Sequence, residues 1–216
     1  TWINRPYDPI AEAARMWDWM EQLRRIHPPL HTWRLVADTR EQAYANPPLT
    51  KTTLTQGLLN EQELNALTGK PSTMLYFFCD TPGGESQLSI ALDLLEEGKG
   101  NISWQINHGL GAYFDQDETL VEALLTSATE AMGPCHVGKV SRVGHPLRPD
   151  HYPFEYSPNP EPFDSSPGWK MFFATTNPHH DQGLALATKT RPLANGTLMT
   201  FGTPDTYPQI LDAWPR

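Results

Sequence analysis

The chain has 216 residues, a formal net charge of −9 and a hydrophobic content of 38%. This composition is typical of a globular protein with a proper core and excludes disorder throughout. No apolar run approaches the roughly 20 residues of a membrane span, and the N-terminus lacks the pattern of a secretory signal. The two cysteines are too few for a disulfide framework or a Cys-based zinc site. We therefore expect a cytoplasmic protein.

A first helix is predicted from Asp8 as N-cap and Pro9 as first helical residue, and Pro28-Pro29 ends it. Residues 31–37 follow as a short strand. The apolar residues of the helix fall on one face at helical spacing, which favours packing in the core: Met16, Trp19, Met20, Leu23 and Ile26.

A second, brief helix is predicted to begin at Asn60 as N-cap, with Glu63 at its third position. Gly69 and Pro71 close it. The aromatic and apolar run at residues 73–79 then predicts a buried strand.

Residues 88–95 fit both an alternating strand and a helix. The turn signal at residues 97–101 and the alternation of Ile102, Trp104 and Ile106 favour a strand. Together with the strand at residues 73–79, this predicts an antiparallel meander of three strands.

The second half of the chain predicts a strong helix from Asp117 to Met132, ended by Gly133-Pro134. Nine of the 21 prolines lie between Pro134 and Pro178, which predicts an irregular region at about 144–168. Helices and strands are partly segregated, so we expect an α+β fold, with an antiparallel sheet packed against a few helices in a single domain over residues 1–216. The remaining elements are strands at 137–143, 169–175 and 197–201 and a closing helix at 204–214.

The excess negative charge lies in the middle of the chain. Residues 51–135 contain twelve Asp and Glu against three Lys and no Arg, whereas acidic and basic residues balance on both sides of this segment. A field of one sign steers a partner of opposite sign, so it favours a basic protein and argues against nucleic acid. A solvated acidic surface with no partner is the alternative.

Asp80, Glu97 and Lys99 resemble the carboxylates and lysine of a metal-dependent nuclease. Two carboxylates could hold a divalent ion that activates water, and the lysine could stabilise the developing charge. Glu97 and Lys99 lie in a predicted Gly-rich turn, however, and the acidic surroundings would repel DNA. We therefore keep this enzyme only as an alternative.

Two other kinds of site can be considered from the sequence: a metal site and a catalytic nucleophile. His179-His180-Asp181, with His145 and His151 nearby in sequence, contains metal-ligating residue types, but adjacent His residues usually point apart, so a polar loop is favoured over a metal site.

The sequence lacks the motifs that are typical of nucleophilic catalysis. Ser86 has no nucleophile elbow, Cys135 and His136 are neighbours rather than a convergent pair, and Cys79 is predicted to be a core residue. We therefore expect no catalytic residues, no metal and no cofactor.

Acidic residues cluster in the predicted turns and helix starts, with two aromatic residues between them. Acids at helix starts also stabilise the helix dipole, and both rings could instead be buried. Aromatic anchors ringed by carboxylates suit a tight interface with a basic protein. The predicted partner-binding residues are Glu61, Glu63, Glu85, Glu96, Glu97, Tyr113, Phe114, Asp115, Asp117 and Glu118.

Four parts of the chain resemble a known protein family: the Trp-bearing first helix, residues 102–107, Pro167-Gly168-Trp169, and residues 195–198 with the closing helix. On these residues the chain resembles the immunity protein 52 family of bacterial toxin–antitoxin delivery systems. It implies an α+β fold and the neutralisation of restriction-endonuclease-fold toxins that neighbouring cells inject, for instance by type VI secretion. It supplies no catalytic residues, and the proline-rich stretch at residues 146–167 departs from it.

We therefore expect an immunity protein without enzymatic activity that binds a cognate, basic nuclease toxin in interbacterial competition. Neither nucleic acid nor a membrane is an expected partner. Carboxylates could occupy the positions of substrate phosphates, or the protein could bind elsewhere and distort the toxin. The alternatives are the metal-dependent nuclease and a non-catalytic adaptor of a secretion apparatus.

Overall fold

The computed structural model describes residues 5–64, 69, 71–80, 86–95, 99–106, 117–140, 168–211 and 213. The chain forms two compact units, unit 1 (Thr1–Pro134) and unit 2 (Cys135–Arg216). Both contain an antiparallel sheet and helices, which confirms the α+β class. The single domain over residues 1–216 stays a prediction, and the proline-rich region at 144–168 lies outside the described residues except for Gly168.

Unit 1 contains four described helices. In α1 the Asp8 side chain accepts hydrogen bonds from the amides of Ile10 and Ala11, as the predicted N-cap requires. The predicted face is buried at Met16, Trp19, Met20 and Leu23. The helices are α1 (Pro9–Ile26), α2 (Arg40–Ala45), α3 (Lys51–Asn60) and α4 (Glu118–Ala131).

The sheet of unit 1 is antiparallel throughout, in the order β1-β3-β4-β5 with β2 also pairing β3. Phe77 pairs with Ile90, and Ile90 pairs with Trp104, so the predicted meander is confirmed. The strands are β1 (Thr32–Leu35), β2 (Gln62–Leu64), β3 (Pro71–Asp80), β4 (Ser86–Leu95) and β5 (Lys99–Ile106).

Helix α1 runs along the inner face of this sheet in the same direction as β3. Before the helix, the Tyr7 hydroxyl lies 2.5 Å from the Thr73 hydroxyl. After it, the Cys79 thiol donates to the Pro29 carbonyl at 3.6 Å. The start of α1 therefore lies by the start of β3, and the end of α1 lies by the end of β3. Helix α3 packs against both α1 and β3.

The predicted helix with Asn60 as N-cap is wrong. Helix α3 begins ten residues earlier, because Thr50 and Thr53 form a reciprocal capping box at its N-terminus. Asn60 is the last helical residue, and Glu63, the expected third helical residue, pairs with Ser72 in the β2–β3 ladder.

Helix α4 confirms the prediction for residues 117–132, with the Asp117 side chain accepting from the amides of Thr119 and Leu120. The indole of Trp19 in α1 donates to the Ser127 hydroxyl of α4 at 3.0 Å. Arg5, which precedes α1, donates to the carbonyl of Met132 at the other end of α4. Helix α4 therefore runs back along α1 in the opposite direction.

Unit 2 is a sheet of order β6-β7-β9-β8 with two described helices. Strand β7 is buried over its whole length. The strands predicted near residues 137, 169 and 197 and the closing helix are confirmed, with bounds that differ from the predicted ones. Its elements are β6 (Val137–Val140), β7 (Lys170–Ala174), α5 (His180–Leu186), β8 (Lys189–Leu193), β9 (Gly196–Thr200) and α6 (Tyr207–Leu211).

Gly196 begins β9 opposite Ala174, where the backbones of β7 and β9 approach closely. A Cβ atom at this position would clash with the Phe173 carbonyl oxygen and lie 2.7 Å from the Phe172 ring. We expect Gly196→Ala to destabilise unit 2 by about 1–3 kcal/mol, because backbone atoms cannot move aside as a flexible side chain can. Urea unfolding followed by circular dichroism measures this loss.

Gly57→Ala is the matched comparison in unit 1. Its Cβ would meet the Leu75 side chain at 3.5 Å, an ordinary contact inside helix α3. This variant should be unchanged or more stable by up to about 1 kcal/mol, since alanine favours the helix. Equal losses in both variants would contradict the close approach at Gly196.

Candidate interaction surface

Glu12 is a buried carboxylate of α1, and it pairs with two arginines. Its carboxylate lies 2.8 Å from Arg5 Nε and 2.8 Å from Arg15 Nη2. The hydrogen bond to Glu12 raises the pKa of Arg15. Arg5 also donates to the Gly133 carbonyl at 3.1 Å, so this ion cluster joins the chain before α1 to the end of α4. These charged groups therefore stabilise the interior of unit 1.

Two more arginines of unit 1 make contacts around β1 and α2. Arg34 donates to the Asn46 carbonyl, and the Arg40 guanidinium lies 5.4 Å from the centroid of the Tyr44 ring. Four of the six arginines of this unit thus have identified partners within it.

The whole net charge of the chain belongs to unit 1. Residues 1–134 contain 18 Asp and Glu against nine Lys and Arg, whereas residues 135–216 contain seven of each. The boundary between the compact units therefore coincides with a boundary in charge. A one-sign field of this kind steers oppositely charged partners toward one unit.

Four of the predicted partner-binding residues lie in the described part of the chain. Glu61 is exposed at the end of α3, and Glu63 pairs with Ser72 at the start of β3. Asp117 and Glu118 are exposed at the start of α4. The other six predicted residues lie outside the described residues, and their role stays a prediction: Glu85, Glu96, Glu97, Tyr113, Phe114 and Asp115.

The two described pairs lie at opposite ends of unit 1. Glu63 is at the start of β3, which is also where α1 begins. Asp117 lies ten residues before Ser127, about 15 Å of helical rise along α4, toward the end of α1. The two pairs therefore lie apart in unit 1, because α4 runs opposite to α1. Their contact with a partner stays a prediction.

Asp117 also has a structural role. Its carboxylate accepts the Thr119 hydroxyl at 2.5 Å and the Thr119 amide at 2.9 Å. The hydrogen bond from the Thr119 side chain lowers the pKa of Asp117 below its ordinary value. This residue therefore stays charged at the helix N-terminus, where a negative charge also complements the helix dipole.

The metal-nuclease arrangement is contradicted by the strand register. Asp80 pairs with Ser86 at one end of β4, whereas Lys99 pairs with Leu95 at the other end. Nine residues of β4 separate the two positions, which corresponds to about 30 Å. Asp80 and Lys99 cannot contribute to one metal site, and Glu97 lies outside the described residues. No group of three potential metal ligands occurs in the described part of the chain.

The polar loop predicted at His179-His180-Asp181 is wrong, because α5 begins at His180. His179 Nδ1 lies 3.1 Å from the Gln182 side chain, and His180 Nε2 lies 3.1 Å from the Thr197 hydroxyl. The His180 ring therefore ties α5 to β9, whereas the His179 ring contacts the first turn of α5 itself. His145 and His151 lie outside the described residues.

Both cysteines are buried. Cys79 is fully buried on the inner face of β3, which confirms its predicted place in the core. Cys135 packs against Phe172 and Ala174, and its thiol donates to the Val137 carbonyl at 3.3 Å. Burial also lowers the pKa of the neighbouring His136. Cys135 therefore behaves as an apolar residue in the core of unit 2.

An exposed apolar patch lies on the outer face of the unit 1 sheet, opposite α1 and α3. The open patch consists of Val36, Met74 and Tyr76, whose exposed fractions are 50%, 47% and 51%. The Val36 amide donates to the Tyr76 carbonyl at 3.1 Å, and the Tyr76 hydroxyl lies 2.6 Å from Met74 Sδ. These three side chains are therefore neighbours.

Helix α2 covers the adjoining part of the same face. The Tyr44 ring lies edge-on to Phe78 with centroids 5.3 Å apart, and Phe78 is 5% exposed. The side-chain amide of Asn46, just after α2, donates to the Leu35 carbonyl and ties the helix end to β1. The part of the sheet that α2 covers includes Phe78 but not Tyr76, which lies two residues earlier on β3. The sequence did not predict this exposure, because residues 73–79 form one apolar run.

Comparison with known proteins leaves the resemblance as a prediction. No known protein family matches this chain, and no curated protein matches it in sequence. The geometry also adds one finding on membranes: within the described residues, no helix is both long and apolar enough to cross one.

Proposed function

We propose that this chain is a non-catalytic binding protein that neutralises a basic nuclease toxin through unit 1. One observation carries the proposal: all nine excess negative charges belong to unit 1, while four of its six arginines contact groups of the same unit. The resemblance to the immunity protein 52 family supports a nuclease as the partner.

The charge of unit 1 suits this partner for a physical reason. A nuclease binds the phosphates of its substrate through basic side chains, and those side chains attract carboxylates equally well. An acidic protein can therefore approach quickly and compete with substrate, whether it covers the active site or a neighbouring surface. Nucleic acid itself would be repelled by unit 1.

Co-expression with the toxin encoded beside this gene tests the proposal. We expect the chain to restore growth and to form a complex that survives size-exclusion chromatography. Continued toxicity together with no complex would refute it. Recovery of secretion-apparatus components instead of a toxin in a pull-down would favour an adaptor.

Electrostatic steering makes a further prediction for the rate of association. In the double variant Glu61→Lys and Glu97→Lys, we expect the on-rate to fall several-fold at low salt, because the field that attracts the toxin weakens. A single charge at the rim of an interface contributes less than about 1 kcal/mol to affinity. Surface plasmon resonance with increasing salt measures the on-rate as the Debye length falls below about 10 Å.

Asp181→Lys is the matched control, since this carboxylate is 99% exposed in the neutral unit 2. It should leave the on-rate nearly unchanged. An on-rate that does not depend on salt, in the wild type as well as in the variants, would contradict steering by unit 1.

A further inference from the structure

We infer that the open patch, Val36, Met74 and Tyr76, is the site where the basic protein partner docks on unit 1. This inference rests on the proposed function and names the surface that carries it. It replaces the predicted aromatic anchors with residues that the structure shows to be exposed.

The open patch has the composition of an interface centre. Tyrosine and methionine are enriched at the centres of interfaces, because they offer a large contact area with few rotatable bonds or an adaptable shape. Met74 and Tyr76 alternate on β3, which has β1 and β2 on one side and β4 on the other. The strands therefore hold both residues on a rigid support, so little conformational entropy is lost on binding.

The strands beside the open patch place polar residues around it. The inner positions of β4 are buried at Ile90, Leu92 and Leu94, so the alternate positions belong to the outer face. By register, Asp93 is opposite Met74, and Asn101 is opposite Asp93. Polar residue types therefore occupy the register positions next to Met74 on this side of the open patch.

The net negative charge of unit 1 determines which kind of molecule can bind the open patch. Two copies of the chain would each bring a unit 1 with a net charge of −9, so self-association through this face is opposed by repulsion. Phosphates of nucleic acids or of anionic lipids are repelled for the same reason. A basic protein gains from the field and can also bury the three apolar side chains.

Met74 supplies a direct reporter of occupancy. The chain has six methionines, and the other five are at most 2% exposed: Met16, Met20, Met132, Met171 and Met199. Peroxide should therefore oxidise Met74 first in the free protein, because oxidation follows exposure. A partner on the open patch would slow that reaction without any mutation.

The test uses the full chain and the nuclease encoded beside its gene. We expect the double variant Met74→Ala and Tyr76→Ala to bind about thirtyfold more weakly or worse by isothermal titration calorimetry, since truncated interface anchors cost this much. Ile10→Ala is the matched control, because it removes another exposed apolar side chain of unit 1, 61% exposed, away from the sheet. In the wild-type complex, oxidation of Met74 should slow by about tenfold, as followed by peptide mass spectrometry.

The outcomes separate the two proposals. If the nuclease binds the wild type but also binds the double variant equally well and leaves Met74 open to peroxide, the docking site is wrong and the proposed function stands. If the nuclease does not bind the wild type at all, both proposals fail. If the double variant does not fold, protection of Met74 in the wild-type complex decides alone.

Discussion

Replacement of Glu12 by alanine is expected to destabilise unit 1 by about 3–5 kcal/mol, because it leaves Arg5 buried without its counter-charge. Arg5 is 8% exposed and also donates hydrogen bonds to backbone carbonyls at the end of α4. For a unit of this size the melting temperature should fall by roughly 10–20 °C. Circular dichroism during heating measures the change.

Asp18→Ala is the matched control, since Asp18 is an exposed carboxylate on the same helix. It should change stability by less than about 0.5 kcal/mol. Glu12→Gln keeps hydrogen-bond acceptors but no charge, so its loss should be smaller than that of Glu12→Ala. A stable Glu12→Ala protein would show that the ion cluster does not hold the two helices together.

Replacement of Trp19 by alanine should destabilise unit 1 by about 3–5 kcal/mol through the cavity it leaves between α1 and α4. The indole is fully buried, and its N–H donates to the Ser127 hydroxyl at 3.0 Å. Ser127 still donates to the Leu124 carbonyl, so the cost comes mainly from lost packing. The midpoint of urea unfolding measures it.

Trp17→Ala, on the same helix at a half-buried position, should cost clearly less. Ser127→Ala should cost about 1–3 kcal/mol, because it leaves the buried indole N–H without an acceptor. Equal effects of Trp17→Ala and Trp19→Ala would contradict the packing of α4 on this face of α1.

Local patterns in the sequence predicted the elements whose one buried face is apolar. Helix α1 and strands β3 and β4 have such a face, and their positions were predicted correctly. Strand β8 was missed because its residues are almost all exposed and include Pro192, so it shows no apolar alternation. Helix α3 was misplaced because the sequence contains two plausible N-caps, Thr50 and Asn60. The structure uses Thr50, which forms a capping box with Thr53.

The candidate site depended on information that local sequence does not contain. Met74 and Tyr76 belong to an apolar run, and only the packing of helices on one face of the sheet leaves the other face open. The separation of Glu63 from Asp117 likewise follows from the opposite directions of α1 and α4. The distance between Asp80 and Lys99 follows from the antiparallel pairing of β3, β4 and β5. The predicted meander already implied this pairing.

The burial of Glu12 has an evolutionary consequence. Glu12 holds the interior of unit 1 together, whereas other acidic residues such as Glu61, Asp117 and Glu130 are exposed. Surface charges of this kind can change one at a time with little loss of stability. The acidic surface could therefore change over generations while the interior and the fold persist.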